Sequence, residues 1–259
     1  MSEGHVPTPA EERAGYSDAR RENALREVNR AAPRWRLLTE WAKSFIIAVG
    51  LFLVIRAFLV EAFKIPSGSM EKTLLVGDFL LVNKLIYGAQ IPFTNIRLPA
   101  VRTPERGDVI VFQFPEDVTK NYVKRLVGLP GDTVAMRDGV FILNGVPQEE
   151  SYVVRIHPDA DASADDFRWQ RKHLIQTAQA SAAHPSRNNW GPLVVPDRSY
   201  FVLGDNRDNS SDSRYWGFVP DTLVRGRPFI VYYSYAPDSA DDFSWLTSIR
   251  WSRLGERVR

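Results

Sequence analysis

An apolar run near the N-terminus constrains the fold of this chain most. Residues 44–55, SFIIAVGLFLVI, carry no charge, and four more apolar residues follow Arg56. Twelve residues are short for a bilayer, which needs about 20, but a snorkelling arginine would let the run span it. We therefore predict one transmembrane helix over residues 44–60. A buried core helix is the alternative.

Charges ahead of the run predict its orientation. Residues 30–43 carry four arginine and lysine residues against Glu40 alone. The positive-inside rule then places the N-terminus in the cytoplasm and the bulk of the chain outside. Val60-Glu61-Ala62 could serve as the cleavage site of a signal peptide, but the polar region ahead of the run is longer than a usual n-region. We prefer an uncleaved anchor.

Beyond residue 61 the chain changes to short apolar runs separated by turns. The turns include Asp138-Gly139 and Asn144-Gly145, which are typical of hairpins. No helical pattern alternates with the runs, so we predict a mainly β, antiparallel architecture. The runs typical of strands are 79–82, 108–114, 122–127, 133–136, 140–143, 200–203 and 229–233.

Composition divides the chain further. Residues 148–195 are more polar than the strands around them, which suggests an inserted cap domain. The last segment interleaves tryptophan and leucine with arginine, a pattern that suits a basic interfacial segment or a solvated tail. The predicted parts are a polar tail at 1–43, the anchor at 44–60, a β domain at 61–147 and 196–240, the cap at 148–195, and a basic C-terminal segment at 241–259.

Residue counts exclude several classes of site. The 259 residues include no cysteine, which removes disulfides, thiolate zinc sites, iron–sulfur clusters and cysteine nucleophiles. With 33 basic and 31 acidic residues the net charge is +2, which argues against a nucleic-acid surface. We predict no cofactor and no metal. The histidines are His5, His157, His173 and His184, and none follows a strand pattern that would fix it.

Two serines lie on a turn just beyond the anchor, in Pro66-Ser-Gly-Ser-Met70. Such a turn is often no more than a loop. Histidine is the usual activator of a serine, and since no histidine here follows a strand pattern, a Ser-Lys arrangement is the remaining catalytic option. Lys72 gives the S-x-x-K spacing of β-lactamases and penicillin-binding proteins. That signature is incomplete, because the chain has no K-T-G and Ser211-Asp212-Ser213 is not S-D-N.

Lys124 is the stronger alternative. Strand alternation places it on one face with Tyr122 and Leu126, where desolvation would favour the neutral amine. To act as a base near pH 7 its pKa must fall by roughly three units, at a cost of about 4 kcal/mol. The alternative is a strand lysine with no catalytic role, whose charged end snorkels to solvent.

A polar loop, residues 204–217, is the third stretch that could carry chemistry. It does not fit a calcium loop, because Arg207 and Ser210 stand where an EF-hand needs a ligand and a glycine. Its hydroxyls and Asp/Arg pairs could orient a neighbouring group, or the loop could be purely structural.

Together these stretches resemble the bacterial type I signal peptidases. The segments that carry the resemblance, in the family's order, are 66–70, 107–112, 122–132, 204–210 and 216–217. The resemblance implies a membrane-anchored Ser-Lys endopeptidase that removes signal peptides from exported preproteins. It further implies a bacterial inner-membrane location with the catalytic domain outside. We expect a monomer, with an anionic lipid surface as a further candidate partner.

The resemblance also implies roles for individual residues. Ser69 matches the nucleophile and Lys124 the general base, while the Ser69 backbone N–H and the Ser67 hydroxyl would form the oxyanion hole. Ser210 matches a hydroxyl that orients the lysine. Supporting positions are Arg125, Asp212 and Arg214, and the positions that match pockets for small residues at −1 and −3 of the substrate are Ile65, Pro66, Met70, Leu74, Tyr122 and Val123.

Lys72 departs from the family pattern, which usually has proline there. We expect a less rigid turn, and a positive charge that depresses the pKa of Lys124 further. Three rivals remain: a penicillin-recognising acyl-serine enzyme, a self-cleaving Ser-Lys regulator and a non-catalytic membrane-tethered β module. The regulator would need a DNA-binding segment, and residues 1–43 show no helix-turn-helix pattern.

Overall fold

The computed structural model divides the chain into residues 1–53 and residues 54–259, which are described separately. The residues described are 20, 34–91, 94, 96–157, 165–175, 185–237 and 242–259. The predicted polar tail lies mostly outside them, as do His5 and His184.

The N-terminal helix, α1, covers Arg34–Val54 and continues as a π-helical turn over Ile55–Leu59. It begins ten residues before the predicted span, since the polar residues ahead of residue 44 include good helix formers. The stretch Leu38–Leu59 is long and apolar enough to cross a membrane. The predicted end at residue 60 is wrong by one residue, because Val60 pairs with Asn83 and opens the first strand.

Seven strands form the larger sheet, in the order β1-β2-β11-β3-β4-β9-β10, and every neighbouring pair is antiparallel. Burial alternates strictly along β2, as expected for a sheet with one face in a core. The strands are β1 Val60–Lys64, β2 Asp78–Asn83, β3 Val109–Phe114, β4 Asp117–Gly128, β9 Ser199–Leu203, β10 Val219–Pro220 and β11 Val224–Ser234.

Four strands form a second antiparallel sheet, in the order β7-β6-β5-β8. They are β5 Thr133–Arg137, β6 Val140–Leu143, β7 Val146–Pro147 and β8 Trp190–Val194. β8 comes from the segment predicted as an inserted cap, and its pairing with β5 attaches the end of that segment to this sheet. Its Gly-Pro pair and lone tryptophan gave no strand pattern in the sequence.

Short helices complete the described part of the chain. The α-helices are α2 Ser213–Trp216 and α3 Ser244–Thr247, and the 3₁₀ turns are Gly68–Met70, Leu85–Tyr87, Asp165–Lys172, Asp221–Leu223 and Trp251–Arg253. The prediction of a mainly antiparallel β protein is therefore confirmed. The predicted strands all exist, and the largest extensions are those of β4 and β11, which begin at Asp117 and Val224 rather than at residues 122 and 229.

Three apolar clusters hold the sheets and position the serine turn. One joins the four-stranded sheet to the ends of β4 and β9 around Trp190 and Phe201. A second lies between β3, β4 and β9 around Phe112 and Leu126. The third lies beneath the serine turn, where Met70 and Leu74 pack on Leu80. Because Met70 is 1% exposed, the residue after Ser69 anchors the turn in this core.

Candidate active site

Ser69 lies in the 3₁₀ turn Gly68–Met70, which begins four residues after the end of β1 at Lys64. Met70 points into the core beneath the turn, and the Asn206 N–H donates to the Ser69 carbonyl at 3.1 Å. The serine is thus fixed on one side by apolar packing and on the other by the polar loop after β9. Its side chain is buried but faces a cleft.

Lys124 comes from β4 and meets Ser69 at the floor of this cleft. Its Nζ donates to Ser69 Oγ at 2.7 Å and to the Val123 carbonyl at 3.1 Å. The Tyr122 ring lies 5.5 Å from the same nitrogen, so the two residues share the strand face that alternation predicts. The structure brings Ser69 and Lys124 together although 55 positions separate them in sequence.

Burial controls the protonation of Lys124. Only 4% of the residue is exposed, and this desolvation lowers its pKa from 10.5 to about 8. The carboxylates of Asp212 and Asp205 act in the opposite direction, while Arg214 lowers the pKa further. About one lysine in ten is then neutral at pH 7 and can accept a proton.

Lys72 lies elsewhere. Its Nζ donates to the Ser151 carbonyl, and its backbone has φ +79°, a left-handed conformation that proline cannot adopt. Lys72 is not among the charges that shift the pKa of Lys124. The expectation that its positive charge depresses this pKa is therefore wrong. The S-x-x-K geometry requires the Lys72 amine beside Ser69, whereas the Lys124 amine lies there.

Ser67 and Ser210 approach the dyad from two sides. The exposed Ser67 hydroxyl donates to Ser69 Oγ at 3.4 Å, across the mouth of the cleft. Ser210 is buried beside Asp212 and helps to lower the pKa of that carboxyl. Ser210 is not a hydrogen-bond partner of Lys124 here, because the Nζ bonds go to Ser69 and to Val123.

Gly204 explains how the polar loop comes so close to the nucleophile. A Cβ at this position would lie 2.6 Å from the Ser69 carbonyl oxygen and would also overlap the Ser210 side chain. Only glycine therefore allows Ser69 and Ser210 to approach the end of β9 together.

Two buried ion pairs brace the loop. Asp212 caps α2 and binds Arg214 at 2.8 Å, with both residues fully buried, and it also accepts from the Gly204 N–H at 3.0 Å. Arg214 lowers the pKa of Asp212, which stays charged despite its burial. Arg125 points away from Lys124 on the other strand face and binds Asp205 at 2.6 Å. Sequence reasoning missed Asp205, whose only signal is an acidic residue in a polar loop.

The cleft beside Ser69 has a volume of about 380 Å³. Five of the six positions predicted for substrate pockets line it: Ile65, Pro66, Met70, Tyr122 and Val123. The sixth, Leu74, is fully buried in the core beneath the turn and does not reach the cleft. Sequence reasoning missed other lining residues, among them Asn121, Asn209 and Ser211.

Within the described residues no group of histidine and acidic side chains could hold a metal ion. His157 and His173 are both exposed and lie outside the cleft. The site offers a hydroxyl, a desolvated amine and surrounding ion pairs. A neutral Lys124 can remove the Ser69 proton, which makes the serine a nucleophile.

The depressed pKa predicts that Lys124 destabilises the fold at neutral pH. An unfolded lysine titrates near 10.5 and the folded one near 8, so a shift of this size corresponds to about 3 kcal/mol. Below pH 8 both states are protonated and the full cost is present. Between pH 8 and 10.5 only the unfolded state holds the proton, so the cost falls as pH rises.

We expect Lys124→Met to be more stable than the parent by up to about 3 kcal/mol at pH 7, and by little at pH 10.5. The measurement is denaturant unfolding of the detergent-solubilised chain, followed by tryptophan fluorescence. Lys120→Met removes an exposed lysine from the same strand and should change stability little at either pH. A Lys124→Met variant that is less stable at pH 7 than at pH 10.5, relative to the parent, would contradict the assignment of the cost to burial.

Comparison with known proteins places the chain in a family. A family model described as "Signal peptidase, peptidase S26" matches residues 38–233. The Signal peptidase I of Pseudomonas aeruginosa is 41% identical over 216 residues, which cover 78% of this chain and 74% of that protein. The Signal peptidase I of Aquifex aeolicus is 32% identical over 250 residues, which cover 82% of this chain and 93% of that protein.

A solved structure of a signal peptidase I from Enterococcus faecalis V583 is 33% identical and covers 49% of this chain and 98% of its own, with a TM-score of 0.33. The resemblance read from the sequence motifs is confirmed by the family model and by the curated relatives. The chain belongs to the signal peptidase family, peptidase S26, and is a serine endopeptidase.

Proposed function

We propose that this protein removes signal peptides from exported preproteins with a Ser69–Lys124 dyad. The observation that carries the proposal is the 2.7 Å contact between a buried amine of lowered pKa and a serine hydroxyl that faces a cleft. Several curated relatives of similar length are called Signal peptidase I, which supports the substrate class.

The reaction follows from the geometry. Neutral Lys124 takes the Ser69 proton as Oγ attacks the scissile carbonyl, and the resulting ammonium gives that proton to the leaving amine. The signal peptide is left as an ester on Ser69. Lys124, neutral again, then removes a proton from water as the water oxygen attacks the ester. The C–Oγ bond breaks, the ammonium returns that proton to the departing Ser69 Oγ, and the peptide leaves as a carboxylic acid.

Oxyanion stabilisation is assigned to the Ser69 N–H and the Ser67 hydroxyl. Both lie on one turn, and Ser67 Oγ is 3.4 Å from the nucleophilic oxygen. Ser210 is proposed to position Lys124 during the cycle, because Gly204 holds it against the serine turn. Asp212 and Arg214 would keep Ser210 in place through their buried ion pair.

Substrate selection is assigned to the cleft. Its lining is mostly apolar around Ile65, Met70 and Val123, and its small volume suits short side chains such as alanine at −1 and −3. β1 forms an edge of the seven-stranded sheet and ends at the cleft, so an extended substrate segment could pair along it.

The dyad assignment predicts opposite behaviour for the two lysines. Ser69→Ala and Lys124→Ala should both abolish cleavage of a preprotein, while Lys72→Ala should keep most of it, since Lys72 binds Ser151 instead. For the parent, the rate should rise about tenfold per pH unit below 8 and level off above it, because the neutral lysine is the active form.

The measurement is the initial cleavage rate across pH in detergent, with the cut located by mass spectrometry. Cleavage after small residues at −1 and −3 is expected. If Lys72→Ala is inactive and Lys124→Ala is active, Lys72 is the base and the S-x-x-K assignment is correct. Covalent labelling of Ser69 by a β-lactam would then favour the penicillin-recognising alternative.

The oxyanion assignment predicts a partial loss. Ser67→Ala should lower kcat by about 10²–10³ with KM little changed, because the hydroxyl acts on charge that develops in the transition state. Ser67→Thr keeps a hydroxyl and should recover much of the rate. Ser211→Ala removes another hydroxyl from the same cleft and serves as the matched control. Full activity in Ser67→Ala would remove this residue from the mechanism.

We further propose a single span at Leu38–Leu59 with the N-terminus in the cytoplasm, so that Ser69 lies ten residues beyond the membrane on the outer side. The charge excess of residues 30–43 supports this orientation. Protease added to intact spheroplasts should digest the region after residue 61 and leave an N-terminal tag intact. Digestion of the tag only after permeabilisation is the control, and protection of the region after residue 61 would exclude this topology.

A further inference from the structure

A second cavity, of about 320 Å³, lies at the start of the β domain and away from the dyad. It is formed by β1, the end of β2, β11 and the loop that follows Gly88. Three cationic side chains line it, Lys84, Arg97 and Arg225, against one carboxylate, Glu61. Nothing in the peptidase mechanism uses these residues.

The two guanidinium groups in this cavity have only neutral partners. Arg97 donates to the carbonyls of Thr222 and Val224, and Arg225 donates to the side-chain oxygens of Gln90 and Gln113. Neither has a carboxylate within ion-pair distance among the residues that the structure describes. By contrast, Lys84 pairs with Glu61 at 3.4 Å.

The two arginines also repel one another. Partial burial lowers the pKa of both, and the charge of Arg97 lowers that of Arg225 further. The carboxylates of Asp221 and Glu61 oppose these shifts, at Arg97 and at Arg225 respectively. With three cationic side chains against the single carboxylate of Glu61, the cavity keeps a net positive charge, so an anion that enters it is attracted by both arginines. Two planar guanidinium forks are well suited to the oxygens of a phosphate group.

The position of the cavity in the chain indicates where the phosphate comes from. Glu61 lies two residues after the apolar stretch ends at Leu59, and the Lys84 N–H donates to the Leu59 carbonyl at 2.9 Å. Lys84 Nζ is also 3.5 Å from the Arg56 carbonyl oxygen. With the span proposed above at Leu38–Leu59, the cavity adjoins the residues where the chain leaves the membrane, at the level of the lipid headgroups.

We propose that Arg97 and Arg225, with Lys84, form a binding site for the phosphate headgroup of an anionic phospholipid. Arg225 lies on β11, an inner strand of the seven-stranded sheet, and Arg97 lies on the loop beside it. Its occupancy would tie the β domain to the bilayer surface independently of substrate.

Native mass spectrometry of the detergent-solubilised full chain, titrated with phosphatidylglycerol, tests the site. We expect one tightly retained lipid on the parent and an affinity about tenfold lower in Arg225→Gln and in Arg97→Gln, since each loses a charge-assisted hydrogen bond. Lys172→Gln removes the same charge from a residue outside the cavity and should retain lipid as the parent does. Preprotein cleavage in micelles reports that each variant is folded.

Competitors distinguish the source of the phosphate. Phosphatidylcholine should be retained more weakly than phosphatidylglycerol, and millimolar inorganic phosphate should not displace the bound lipid. Displacement by inorganic phosphate at comparable concentration would overturn the headgroup assignment and leave a site for free phosphate. Equal lipid retention by the parent, Arg225→Gln and Arg97→Gln would overturn the site itself.

Discussion

Desolvation of one amine is the constraint on which the site depends. Lys124 is useful only if it loses its proton near neutral pH, and the burial that lowers its pKa to about 8 also opposes folding. The chain offsets this cost with packing. β4 enters the sheet between β3 and β9, and its last five residues are buried, so the strand that holds the lysine is itself held on both sides.

The surrounding charges make this burial tolerable without reversing its effect. Asp212 and Asp205 are buried carboxylates that raise the lysine pKa, and Arg214 lowers it. Each carboxylate is paired with an arginine, Asp212 with Arg214 and Asp205 with Arg125. The ion pairs fix the loop geometrically, and desolvation remains the largest influence on the pKa of Lys124. Removing one partner would leave an unpaired buried charge, which is far more costly than the pair is stabilising.

Much of the site could be predicted from the sequence because its parts are local. Alternation along β4 places Lys124 beside Tyr122, and Pro66 with Gly68 predicts a turn that carries Ser69. Leu74 shows the limit of this reasoning. It lies close to the serine turn in sequence and is apolar like the cleft residues, yet its side chain turns into the core. Whether an apolar residue lines a cleft or packs beneath it depends on the tertiary fold.

Features that are assembled from distant segments of the chain could not be predicted from the sequence. β1 begins at the last residue of the predicted span, where a strand pattern and a membrane pattern look alike. β8 lies in the polar segment 148–195, where no strand pattern was recognised. The arginine pair of the second cavity comes from positions 97 and 225, and neither has a neighbour in sequence that suggests an anion. Sheet pairing of β11 with β2 and β3 brings Arg225 to this cavity, and a loop hairpin brings Arg97. The same sheet thus carries Lys124 at the cleft on β4 and a pocket of net positive charge beside β1, so substrate chemistry and attachment to a charged surface share one rigid framework.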